Sequence, residues 1–119
     1  MTRPSLLVIR SADIDRAVRF YEALGLAFEK HAHGKGPEHY ASESDGFVFE
    51  IYPATESSGS TLGTRLGFTT DSVDEAIHRL TPLGVTLVSP PRESAWGRRA
   101  VVDDLDGHRV ELLSAATAP

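Results

Sequence analysis

The chain has 119 residues, with 12 Lys plus Arg against 17 Asp plus Glu, a formal net charge of −5 and 40% hydrophobic residues. These values suit one compact domain (1–119) and exclude a disordered acidic tail. Zero cysteines exclude disulfides, cysteine-ligated zinc, iron–sulfur clusters and thiol catalysis, leaving His, Asp and Glu as candidate metal ligands.

The first apolar stretch, Leu6 to Ile9, is far shorter than the roughly 20 residues of a membrane span or the ~7–15 of a signal-peptide core. No membrane partner and a cytoplasmic location are therefore expected. An acidic balance without a Lys/Arg-rich block gives no nucleic acid partner either.

In chain order, Leu6 to Arg10 reads as a short strand. Ile14, Ala17, Val18, Tyr21 and Leu24 then recur at helical spacing. Gly25 stands where a helix C-cap needs positive φ. Strands are expected over Ala27 to His31, Glu38 to Glu43 and Phe47 to Tyr52. Ser57-Ser58-Gly59-Ser60-Thr61 has the small polar residues of a flexible connector. Arg65 to Thr70 reads as the next strand, and Ser72-Val73-Asp74-Glu75 as a capping box opening a helix through Leu80. Gly84 repeats the C-cap signal. Three strands follow, Thr86 to Val88, Arg98 to Asp103 and Arg109 to Leu113, with Pro90 to Ala95 as a loop carrying Trp96.

The two halves repeat. Leu7, Asp15, Ala17, Leu24 and Gly25 fall on Leu66, Asp74, Ala76, Leu83 and Gly84 at an offset of 59 residues, and Asp45 to Ile51 fall on Asp106 to Leu112 at an offset of 61. Such duplication predicts two copies of one supersecondary unit, with a site where they meet. The first copy spans about 4–54, the linker about 55–63 and the second copy about 64–114.

Strand, helix and three strands, twice over, resembles the vicinal oxygen chelate superfamily of glyoxalases, bleomycin resistance proteins and extradiol dioxygenases. The resemblance rests on Ala12 to Glu22 with Leu24-Gly25-Leu26, on Phe49 to Pro53, and on Trp96-Gly97 followed by Asp106 to Leu113. It implies an α+β fold of two tandem βαβββ modules, each forming a curved mixed sheet with helices outside. It also implies a homodimer, because a second chain commonly covers the open edges and cavity mouths in this family.

Alternation places Val48, Glu50 and Tyr52 on one strand face and Phe47, Phe49 and Ile51 on the other, which goes to the helix. By the same parity Glu111 and Arg65 point with Glu50 into the concave sheet. The resemblance carries the family's metal positions onto Leu6, Glu50, Arg65 and Glu111, of which only the two glutamates could ligate. No cofactor is expected at these positions. Arg65 is chemically suited to take the metal's place by bridging the carboxylates, the alternatives being an Arg65 in solvent or a divalent metal recruited with other ligands such as His39.

His39 could serve as acid, base or ligand-binding group, or be a satisfied buried histidine. His31 and His33 could chelate from one strand face, but the following Gly34-Lys35-Gly36-Pro37 favours solvated hairpin residues. Trp96 is either a stacking face for a planar ligand or a loop anchor or dimer contact. Tyr52 either reaches the cavity or ends the strand.

Two functions compete. The first is a protein binding a small organic ligand, with Arg65, Tyr52, Trp96 and His39 as its contacts. The second is an enzyme, either a metal-dependent lyase, isomerase or dioxygenase or a metal-free acid–base catalyst using Glu50, Glu111 or His39.

Overall fold

In the computed structural model, which describes residues 1–115, β1 (Leu6–Ser11) runs into α1 (Ile14–Ala23) through a short capped turn. The Ser11 hydroxyl accepts from the Asp13 amide, and the Asp13 carboxylate accepts from the Arg16 amide at 3.1 Å, supplying the helix N-cap. β2 (Glu29–His31), β3 (His39–Ser44) and β4 (Phe47–Pro53) complete the first module. Asp45 and Gly46, between β3 and β4, both have positive φ, 52° and 81°, as a two-residue hairpin of matching twist requires. The sheet order is β1-β4-β3-β2, with β1 parallel to β4 and the other pairs antiparallel.

α1 buries Ala17, Val18, Phe20 and Tyr21, and packs on β1, β3 and β4. Its apolar stripe meets the Phe49 and Ile51 face of β4, both buried. Tyr21 meets Phe49 edge to face at 4.9 Å between ring centroids, and Phe28 closes the cluster at 6.0 Å from Phe49. The opposite sheet face, carrying Val48, Glu50 and Tyr52, is left uncovered by the helix.

The second module repeats the plan with β5 (Arg65–Thr69), α2 (Val73–Leu80), β6 (Thr86–Ser94), β7 (Gly97–Asp103) and β8 (Arg109–Ser114), in the order β5-β8-β7-β6. Ser72 caps α2, its hydroxyl accepting from the Glu75 amide at 3.2 Å. A single 3-10 turn, Thr81–Leu83, follows before Gly84 at φ 76° ends the helical segment. α2 packs on β7 and β8 through Val73, Ala76 and Leu80. The chain thus divides into two compact units, Met1–Thr61 and a second beginning at Leu62. Each is a helix on one face of a four-stranded mixed sheet, the expected α+β arrangement of tandem βαβββ modules.

Three local expectations are corrected. The segment read as a loop from Pro90 to Ala95 is mostly strand: β6 continues to Ser94 and pairs with β7, turning at Ala95 and Trp96. Two prolines fit because β6 is an edge strand whose register shifts between Leu87 and Ser89 and between Ser89 and Arg92, so no ladder amide is demanded of them. β2 starts at Glu29, two residues later than expected. The presumed flexible connector is hydrogen-bonded: the Thr55 and Ser58 side chains accept from each other's amides at 3.0 Å, and the Thr61 hydroxyl accepts from the Arg10 amide of β1 at 2.9 Å.

Candidate functional site

The uncovered face of the first sheet is built by register. Val8 lies opposite Glu50 on β4, Ala41 opposite Glu50 on β3, and His31 opposite His39. His39 is therefore diagonal to Glu50 on the same face, a separation that long side chains span. Its Nε2 lies 3.5 Å from Glu50 Oε2, and its ring stacks on Tyr52 at 4.2 Å with planes 6° apart. The His39 Nδ1 is 3.3 Å from the Pro37 carbonyl, which can only accept. Nε2 faces the Glu50 carboxylate, so both ring nitrogens look at acceptors and a proton on either has a partner. Arg10 lies over the other side of Tyr52, its guanidinium carbon 5.2 Å from the ring centroid. His39 is buried, while the Glu50 side chain keeps 19% of its surface. Beside them Phe28, Glu29, His31, Ala41, Glu43 and Val48 line a hollow of about 360 Å³.

The second sheet has the same register with different chemistry. Gly67 and Val101 flank Glu111 as Val8 and Ala41 flank Glu50. The diagonal neighbours, Leu6 and His39 in the first module, are Arg65 and Arg99 in the second. Arg99 Nε donates to Glu111 Oε1 at 2.5 Å, and Arg65 stands 3.9 Å from Oε2 as an ion pair. The Arg99 hydrogen bond, helped by the charges of Arg99 and Arg65, holds the Glu111 carboxyl below its ordinary range. Gly67 adds no side chain next to Glu111, leaving a hollow of about 150 Å³ lined also by Phe68, Thr69 and Leu113. Trp96, 79% exposed at the β6–β7 turn, borders a hollow of about 230 Å³ with Thr69, Thr70, Leu113 and Ser114.

Sequence reading missed Arg99. The repeat held the signal, because an offset of 60, between the two that match elsewhere, carries His39 onto Arg99. The stacking of Arg10 on Tyr52 had no such signal, since it follows from β1–β4 register. Of the four positions the resemblance assigns to a metal, Leu6 offers no donor, Arg65 is a cation, and Glu111 is already matched to two arginines. They do not fit the family's metal.

Asp104, Asp106 and His108 bring one ligand atom each within 4.8 Å of the others, a spacing that could hold a metal. Asp104 Oδ1, however, accepts from the amides of Asp106, Gly107 and His108 at 2.8–3.0 Å, and Oδ2 accepts from His108 Nδ1 at 2.9 Å. With both oxygens used and His108 fully buried, this group fixes the β7–β8 connection.

Residues 3–112 match the family model described as Glyoxalase/Bleomycin resistance protein/Dioxygenase superfamily, and the chain belongs to that superfamily. An uncharacterised protein of Mycolicibacterium smegmatis is 27% identical over 110 residues, covering 92% of this chain and 90% of that one. TnmS3, an antibiotic binding protein from Streptomyces sp. CB03234, superposes with a TM-score of 0.77 at 22% identity, over 98% of both chains. A glyoxalase-related enzyme from Fulvimarina pelagi gives 0.72 at 21% identity, over 96% of this chain and 88% of that one. These two structural likenesses are likenesses of fold, shared by a binder and an enzyme.

Proposed function

We propose that this protein binds a small organic molecule of aromatic or cationic character without the metal usual in its family. What carries the reading is the pairing of Glu111: with Arg99 and Arg65 on its carboxylate and Leu6 at the place in the first module that Arg65 takes in the second, the family's set of four donor positions is lost. Glu50 is the glutamate not matched to an arginine, and it draws a positive group toward the stacked rings of His39 and Tyr52. Trp96 offers a second aromatic surface, and Arg65, more than half exposed, an anion-accepting one. A cytoplasmic homodimer completes the reading, since β1, β2, β5 and β6 are the edge strands of their sheets and Leu6, Leu87 and Val88 are exposed apolar residues.

The test is a fluorescence titration of Trp96, the single tryptophan, with cationic glycopeptide drugs and with small thiols and diols, repeated on Glu50→Gln, with calorimetric titration of the same compounds for Trp96→Ala. Saturable quenching without product, weakened at least tenfold in Glu50→Gln, is expected. Turnover of a hemithioacetal or catechol by metal-loaded protein overturns the reading. The His39 and Glu50 pair supports a second reading, a metal-free acid–base enzyme, which turnover by metal-stripped protein lost in Glu50→Gln would establish.

A further inference from the structure

Four arginines share the uncovered face of the second sheet, and the ladder sets them in two facing pairs. Arg65 lies directly opposite Arg109, and Arg92 directly opposite Arg99. Like charges set straight across a ladder repel, so each pair calls for a counter-charge. On the same face Asp103 pairs with Arg109, and Glu111 is shared by Arg99 and Arg65. Arg92 is different: it is exposed and forms no ion pair among the described residues. From Arg92 the same row runs through Arg99 and Leu113 to Thr69 across β7, β8 and β5. One end of the row therefore holds two cations and no carboxylate, and the other end is largely apolar.

We infer that this row is a second binding site, taking a small aromatic carboxylate with its charged end on Arg92 and Arg99 and its ring between Leu113 and Trp96. Arg99 is already held in place. Its Nε donates to Glu111 Oε1 at 2.5 Å, which fixes the guanidinium and leaves the four N–H of its two Nη groups for a further acceptor. A planar guanidinium matches a carboxylate through two parallel hydrogen bonds, which an ammonium could not do. The apolar end is present as open space. Trp96, Leu113 and Thr69 border the hollow of about 230 Å³, and Leu113 and Thr69 also border the one of about 150 Å³ beside Gly67. Both are smaller than the ~300–1,000 Å³ of drug-sized sites, which limits the ligand to one or two rings. From Arg99 to Thr69 is two strand spacings, roughly 10 Å, the span of such an acid. Trp96 is mostly exposed, so a ring set against it removes apolar surface from water. The site takes the opposite charge from the one drawn to Glu50. It rests on the ligand-binding reading only through Trp96, since Glu50, His39 and Tyr52 take no part in it.

Calorimetric titration of the full chain with 2-naphthoate tests the site, with naphthalene-2-carboxamide as the uncharged isostere and inorganic phosphate as charge without a ring. One naphthoate per chain is expected, bound at least tenfold more tightly than either control. Arg92→Ala and Trp96→Ala should each weaken it at least tenfold. Arg92 is exposed and unpaired among the described residues, so its loss leaves the fold intact, which circular dichroism checks. Lys35→Ala removes one exposed positive charge from the first module and should leave the affinity unchanged. Equal affinity in wild type and Arg92→Ala, naphthoate no tighter than either control, or no saturable heat up to about 5 mM overturns the site. Glu50→Gln separates it from the cation reading, because naphthoate should keep its affinity there whether or not a cationic drug binds; a naphthoate affinity that falls in Glu50→Gln also overturns the site.

Discussion

Glu50 and Glu111 occupy equivalent places in two copies of one sheet, yet a single diagonal neighbour makes them chemically different. Arg99 holds Glu111 ionised and occupied, whereas Glu50 faces an imidazole, that of His39, and no arginine among the described residues. Because the folded-state carboxyl of Glu111 is depressed, its contribution to stability is present above the unfolded value of about 4.3 and is lost as pH falls through the folded one. Replacing Arg99 by Met should move the Glu111 midpoint upward, observed by carbon NMR of its carboxylate. No change would mean that Arg65 alone sets the charge. At Asp104 the prediction concerns stability. Asp104→Ala removes the side-chain acceptor of three amides and of the buried His108 Nδ1, and should lower the unfolding free energy by about 3 kcal/mol in urea titration. Asp104→Asn keeps the acceptor for the amides and should cost less.

Among the elements, both helices were legible because their apolar residues recur at helical spacing and their caps, Asp13 and Ser72, precede them. Ser72→Ala should cost about 1 kcal/mol by losing the acceptor for the Glu75 amide, measured by thermal or urea unfolding. β6 was not legible past Val88. Pro90-Pro91 is a strong local signal for a loop, and only the edge position of the strand, with its shifted register, makes the segment extended and paired. That outcome sets Trp96 at a hairpin turn exposed to solvent. Trp96→Ala should therefore change stability by less than about 0.5 kcal/mol, and any large loss of calorimetric ligand affinity would belong to binding and not to folding.

For the whole molecule, pH dependence follows from exposed ion pairs in both modules. Hydrogen bonds from Tyr40, then Lys30, depress the Asp15 carboxyl, and Arg98 depresses that of Asp74. Lys30 is raised by Glu38 and then Asp15, and Tyr40 by Asp15. The depressed carboxyls contribute only above their unfolded values, and the raised Lys30 and Tyr40 only below theirs. The contribution of these pairs should be flat between roughly pH 5 and 10 and fall on both sides. Since these pairs are exposed, 1 M salt should flatten both slopes. A thermal-unfolding series across pH at two salt concentrations checks this. The linear pattern of residues by itself determined the duplication, through its near-constant offset, and the strand faces that carry both glutamates, through periods of 2 and 3.6, while the α+β class was what the resemblance implied. Which side chains meet across strands was decided only by tertiary structure. Arg99 on Glu111, Tyr52 on His39 and Arg10 on Tyr52 all arise from ladder register, which joins residues distant in sequence and leaves no local periodicity to read.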